Sequence, residues 1–149
     1  MTPPFDLSAF LPYQLATVAA RVSRGFAALY RTEFGLSIPE WRVLAHLAQS
    51  GAVSVREIQA RVDMDKSKVS RAATRLESAG LIAKRANAAD RRLLDMTLTD
   101  AGRALMVRIL PVADAYQAEV LATLGPDADP FRRSLARLRE MEEGDDHPA

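Results

Sequence analysis

The chain contains no cysteine, which excludes a disulfide framework, a thiolate metal site and a cysteine redox switch. No apolar run approaches the roughly 20 residues that span a bilayer. The opening MTPPFDLSAF lacks the cationic start and apolar block of a signal peptide. The expectation is a cytoplasmic protein with no membrane partner. Also missing are a glycine-rich phosphate loop, an HExxH helix and a Ser-His-Asp set, so neither an enzyme nor a cofactor is expected. Asp63 and Asp65 read as turn and cap residues. Asp145, Asp146 and His147 sit in an acidic tail that cannot fix a coordination geometry, so no metal is expected either.

With 149 residues and 48% hydrophobic composition, the chain is long and apolar enough to bury one core. Its net charge of +1 conceals a division. Residues 54–92 carry ten lysines and arginines against five acids, whereas the remainder carries ten against fourteen. Cationic charge gathered in the middle third of a near-neutral body is the footprint of a nucleic-acid face.

The most informative stretch is DKSKVSRAATRLESAG, residues 65–80. As a helix it puts Val69, Ala72, Ala73 and Leu76 on one apolar stripe. Lys66, Ser67, Lys68, Ser70, Arg71, Thr74 and Arg75 fall on the other face. Asp65 can cap its first turn, and Gly80 can adopt the left-handed conformation that ends it. Such a face suits a DNA major groove, where Arg forks onto guanine and hydroxyls meet bases or phosphates.

The flanking chain gives that helix a setting. Leu7, Leu11, Leu15, Val18, Val22, Phe26 and Leu29 step by threes and fours, which predicts a first helix over about residues 9–31. Ser37-Ile38-Pro39-Glu40 is a capping box opening a second helix, and Ser54-Val55-Arg56-Glu57 opens a short third. A short helix, a tight turn and a second helix with a basic face have helix-turn-helix spacing. Residues 81–85 and 93–98 then read as a hairpin, with Leu94, Met96 and Leu98 inward. Thr99-Asp100 caps a fifth helix to about Leu124, with Leu105, Val112, Tyr116, Val120 and Leu124 on its apolar side and a kink expected at Pro111. Asp129-Pro130 starts a sixth, and residues 142–149 read as a polar, frayed tail.

The expected fold is mainly α with a small β-hairpin wing. Residues 37–98 form the winged helix-turn-helix lobe, and residues 5–34 and 104–142 form terminal helices within a single chain of residues 1–149. Those terminal helices expose apolar stripes that one winged helix cannot cover, so they are expected to pack against a second copy.

SIPEWRVLAHL, MDKSKVSRAATRLESAGLI and above all DRRLLDMTLTDAG give the chain, over nearly its whole length, a resemblance to MarR-family transcriptional regulators. The resemblance implies a homodimeric double-stranded DNA-binding regulator, more economically a repressor than an activator, on a palindromic operator. Lys66, Ser67, Lys68, Ser70, Arg71 and Arg75 match the family's major-groove helix. Asp90 and Arg92 match a wing pair in which the acid holds the Arg for the minor groove, with Arg91 a phosphate contact. Small aromatic or phenolic effectors are implied, in a cleft where Tyr13, Tyr30, Trp41, Arg42, His46 and Tyr116 are the residues of interest. The lack of cysteine argues against the thiol-based, peroxide-sensing branch. The competing function is a winged helix used for protein contact alone, which the lysine-rich, hydroxylated face opposes because protein interfaces deplete lysine.

Overall fold

The computed structural model describes residues 2–62 and 64–141; Asp63 and the tail proposed from residue 142, with Asp145, Asp146 and His147, lie outside them. In chain order the elements are α1 (Leu11–Phe34), α2 (Ile38–Ser50), β1 (Val53–Ser54), α3 (Val55–Val62), α4 (Lys66–Ser78), β2 (Ile82–Ala86), β3 (Leu94–Leu98), α5 (Asp100–Leu124) and α6 (Ala128–Arg139). Short 3-10 turns at Leu7–Ala9 and Gly125–Asp127 precede α1 and α6. The chain divides into two units, one ending at Ala113 and the other beginning at Asp114.

Local chemistry explains where the helices start and stop. Pro12 lies in the first turn of α1, where its missing N–H costs nothing. Gly35, at φ 68°, ends the helix with its N–H on the Arg31 carbonyl at 3.0 Å. At the start of α2 the Ser37 hydroxyl accepts from the Glu40 N–H at 3.3 Å and donates to the Glu40 carboxylate at 2.9 Å. Ser54 does the same work for α3, accepting from the Glu57 N–H at 3.1 Å. Thr99 caps α5 by accepting from the Gly102 N–H at 3.1 Å while its hydroxyl donates to the Gly80 carbonyl at 2.6 Å.

The core of the first unit gathers Val43, Leu44 and Leu47 of α2, Ile58 of α3, Val69, Ala72, Ala73 and Leu76 of α4, Met96 of β3, and Met106 and Ile109 of α5. Full burial of each larger side chain contributes about 1.5–3 kcal/mol relative to exposure. The sheet runs β1-β3-β2, antiparallel throughout, with Met96 opposite both Val53 and Lys84. Beside the core, Phe26, Tyr30 and Trp41 form an aromatic knot, with Tyr30 stacked on Trp41 at 5.7 Å and Phe26 edge-on to both.

Two expectations need correction. Val53–Ser54 is a strand as well as a helix entrance. Leu94 is exposed, not inward, because it lies at the wing end of β3 beyond the reach of the core. On α5 the fully buried residues are Gly102, Met106 and Ile109, while Leu105, Val112, Tyr116, Val120 and Leu124, on the expected apolar side, are each partly covered. Pro111 leaves the helical run of α5 uninterrupted.

The apolar stripe on α1 is largely uncovered. Only Ala27 and Tyr30 of that helix are buried, while Leu11, Leu15, Val18, Val22 and Leu29 are exposed. In the second unit Phe131, Leu135 and Leu138 of α6 are exposed in the same way, as is Met141 beyond it.

Candidate nucleic-acid interface

Helix α4 is fixed at both ends by its own sequence. The Asp65 carboxylate accepts from the Lys68 N–H at 2.9 Å and from the Ser67 hydroxyl at 2.7 Å. The Lys68 N–H, followed by the Ser67 hydroxyl, holds that carboxyl below its ordinary pKa. At the other end the Leu81 N–H reaches the Leu76 carbonyl and the Gly80 N–H the Glu77 carbonyl, both at 2.9 Å, with Gly80 at φ 75°. This is the paired closure that a left-handed residue makes possible.

Between those ends the two faces separate completely. Val69, Ala72, Ala73 and Leu76 are buried, and Lys66, Ser67, Lys68, Ser70, Arg71, Thr74 and Arg75 are all exposed. Among the described residues Arg71 makes no ion pair, whereas Arg75 lies 3.6 Å from Glu40 of α2. Arg71 can therefore reach outward to an acceptor pair, while Arg75 is partly drawn back onto the body. Ser54 is buried and committed to its cap, so a phosphate cannot reach its hydroxyl.

At the hairpin tip, Arg92 donates from its Nε to Asp90 Oδ1 at 3.1 Å and from Nη2 to Oδ2 at 3.2 Å. The Arg92 N–H also donates to Asp90 Oδ1 at 3.1 Å. The Arg92 side chain, with the backbone bond second, lowers the Asp90 pKa. The guanidinium is thereby held by a fork at one edge while the side chain remains 90% exposed. Arg91 beside it is exposed as well. The sequence reading passed over Asn87 and Asp95, whose side chains also hold this tip. An Asn near a turn and an Asp on a strand carry no separate signal in a single sequence.

The residues grouped as an effector cleft have different surroundings. Tyr30 is fully buried and Trp41 stacks on it, so both serve the aromatic knot; burial raises the Tyr30 pKa. Tyr13 is exposed on the outer stripe of α1, His46 is half-buried on α2 with its pKa lowered first by burial, and Tyr116 belongs to the second unit. Arg42 lines a cavity. That cavity, of about 540 Å³, lies between α1, α2 and the start of α4, with Ser23, Arg24, Arg42, Met64, Asp65 and Lys68 in its wall. Three cations against one acid make it suited to an organic anion.

A helix-turn-helix whose second helix turns a basic face outward, followed by an Arg-tipped hairpin, is a winged-helix DNA-binding module. The comparisons with known proteins agree. Residues 34–93 match the model of the MarR family. The chain is 35% identical over 129 residues to the HTH-type transcriptional repressor Rv2887 of Mycobacterium tuberculosis H37Rv, covering 86% of this chain and 92% of that one. The MarR family transcriptional regulator SPO1453 of Silicibacter pomeroyi superposes with a TM-score of 0.76 at 29% identity, over 92% of this chain and all of that one. BpsR of Bordetella bronchiseptica, described as regulated in its DNA binding by 6-hydroxynicotinic acid, shares the fold with a TM-score of 0.75 at 24% identity, over 95% of this chain and all of BpsR. The chain belongs to the MarR family and is a DNA-binding regulator of transcription.

Proposed function

We propose that the protein is a homodimeric repressor that places one α4 in the major groove of each half of a palindromic operator and one wing beside it. The observation that carries this reading is the complete division of α4, on which every cationic and hydroxyl side chain from Lys66 to Arg75 is exposed and every apolar one is buried. Lys66, Lys68 and Arg91 supply affinity through phosphates, Ser67, Ser70 and Arg71 meet phosphate or base edges, and Arg92 enters the minor groove, where a narrow A·T-rich tract favours Arg. Arg75 is partly withheld by Glu40 and contributes less. Repression fits the name of the relative Rv2887 and requires only occupancy of the site.

The effector reading moves from the aromatic knot to the cationic cavity. A small aromatic carboxylate lodged between Arg24, Arg42 and Lys68 would press on the first turn of α4 and change its presentation. The test is equilibrium binding to a duplex selected by the protein from a randomised pool and to an unselected duplex of equal length. Arg71→Ala is expected to weaken the selected duplex about 5- to 100-fold more than the unselected one; equal losses would reduce Arg71 to a backbone contact. Adding 6-hydroxynicotinate or salicylate is expected to release the selected duplex from the wild type and not from Arg42→Ala. Release of both proteins alike would place the ligand elsewhere.

A further inference from the structure

We propose that Asn87 and Asp95 are positioning residues that couple the rigid part of the sheet to Arg92, so that the wing presents its guanidinium already aimed. This rests on the reading that the wing touches DNA.

The coupling is a continuous set of hydrogen bonds. Asp95 lies on β3 next to Met96, which is fully buried, and pairs in register with Ser54 of β1 and Arg85 of β2. Asn87 Nδ2 donates to both Asp95 carboxylate oxygens, at 3.1 and 2.9 Å. Asn87 Oδ1 accepts from the N–H groups of Ala89 and Asp90, at 2.8 and 2.9 Å. Asp90 in turn grips Arg92 through its backbone N–H, Nε and Nη2. The loop is closed beneath them by the Asn87 N–H on the Leu93 carbonyl at 2.9 Å and the Leu93 N–H on the Asp90 carbonyl at 3.0 Å.

The amide at position 87 can take only one orientation here. Its NH₂ faces a group that only accepts, and its carbonyl faces two groups that only donate. An Asp at this position would set carboxylate against carboxylate, and an Ala would free both Asp95 and the Asp90 backbone. Asn87 and Asp95 are half-buried while Arg92 is exposed, so order passes from the covered sheet outward to the tip. An exposed Arg carries rotamer entropy that binding must remove. Part of that is already removed when Asp90 is itself fixed, and DNA then need not remove it on binding.

The experiment is a double-mutant cycle on the full chain, read as affinity for the duplex selected by wild type, with the melting temperature of each variant measured in parallel. Arg92→Ala is expected to weaken binding about tenfold or more, and Asn87→Ala roughly three- to tenfold, the scale of one or two lost hydrogen bonds. In the Arg92→Ala background, Asn87→Ala should cost nothing further, because its effect acts through Arg92. Asp95→Ala should match Asn87→Ala, whereas Asp95→Asn, which keeps one acceptor for Asn87, should recover most of the affinity. Should Asn87→Ala prove too unstable to study, the two Asp95 variants carry the same comparison. The proposal is overturned if Asn87→Ala loses the same factor with and without Arg92, or if it binds like wild type while Arg92→Ala is weak. Wild-type binding by Arg92→Ala would remove both the proposal and the minor-groove reading of the wing.

Discussion

A single missing methyl group decides how α5 meets the wing. A Cβ at Gly102 would stand 2.1 Å from the Leu81 carbonyl oxygen and 3.3 Å from Leu98. The nearest obstacle is backbone, which cannot swing aside as a side-chain end would. Gly102 is also the last residue of DRRLLDMTLTDAG, so its place in that run has a steric reason. Gly102→Ala is expected to destabilise the first unit by about 1–3 kcal/mol, read as a fall of several degrees in melting temperature; an unchanged value would mean that the α5 entrance shifts at no cost. At the same scale the two arginines of α4 are not equivalent. Arg75→Ala should cost less discrimination between selected and unselected duplexes than Arg71→Ala, because the Glu40 carboxylate at 3.6 Å competes for its guanidinium. Equal losses, measured as the ratio of the two affinities, would show that DNA wins that competition outright.

The helices depend on caps, and one cap is titratable. Asp65 has a folded-state pKa lowered by the Lys68 N–H and the Ser67 hydroxyl, so its contribution to stability is present above the unfolded value near 3.8 and is lost as pH falls through the lower folded value. Asp65→Ala should therefore melt below wild type at pH 7, with the gap narrowing as both are acidified below about pH 3.5. A gap that stays constant down to pH 2.5 would mean that Asp65 acts through packing and not through its charge. Caps and periodicity are local, which is why the helix boundaries and both faces of α4 were legible in the sequence. The capping boxes at Ser37 and Ser54 and the glycine stops at Gly35 and Gly80 are written within a few residues of where they act. Features that depend on distant partners were not legible. Val53–Ser54 becomes a strand only because β3 lies beside it, and Leu94 is exposed because the hairpin outruns the core. The surroundings of the residues read as an effector cleft were not legible for the same reason. That Tyr30 and Trp41 stack on each other, and that cations from α1, α2 and α4, Arg42 among them, converge on a cavity, depends on how the helices pack.

For the whole molecule the decisive feature is apolar surface that one copy leaves open. On α1, Leu11 is 53% and Val18 is 55% exposed, and Phe131, Leu135 and Leu138 of α6 are also open. Monomeric proteins rarely leave such contiguous stripes to water; a second copy with the same stripes is the simplest cover, through a self-complementary two-fold interface. Two reading helices joined in this way would engage half-sites about 34–36 Å apart, and the second contact would then be intramolecular. The expected mass in solution is twice the chain's 16.3 kDa. Val18→Glu combined with Leu138→Glu changes only exposed positions, so each chain should keep its fold, with surface effects of about 0.5 kcal/mol or less. The same pair buries charge in the dimer and should drive the protein to the single-chain mass by sedimentation. Affinity for a two-half-site duplex should then fall by about 10²–10⁴, while affinity for a single half-site changes little, because what has been removed is the tether between two weak contacts. A double variant that stays dimeric and binds the full site like wild type would show that these stripes are not where the copies meet.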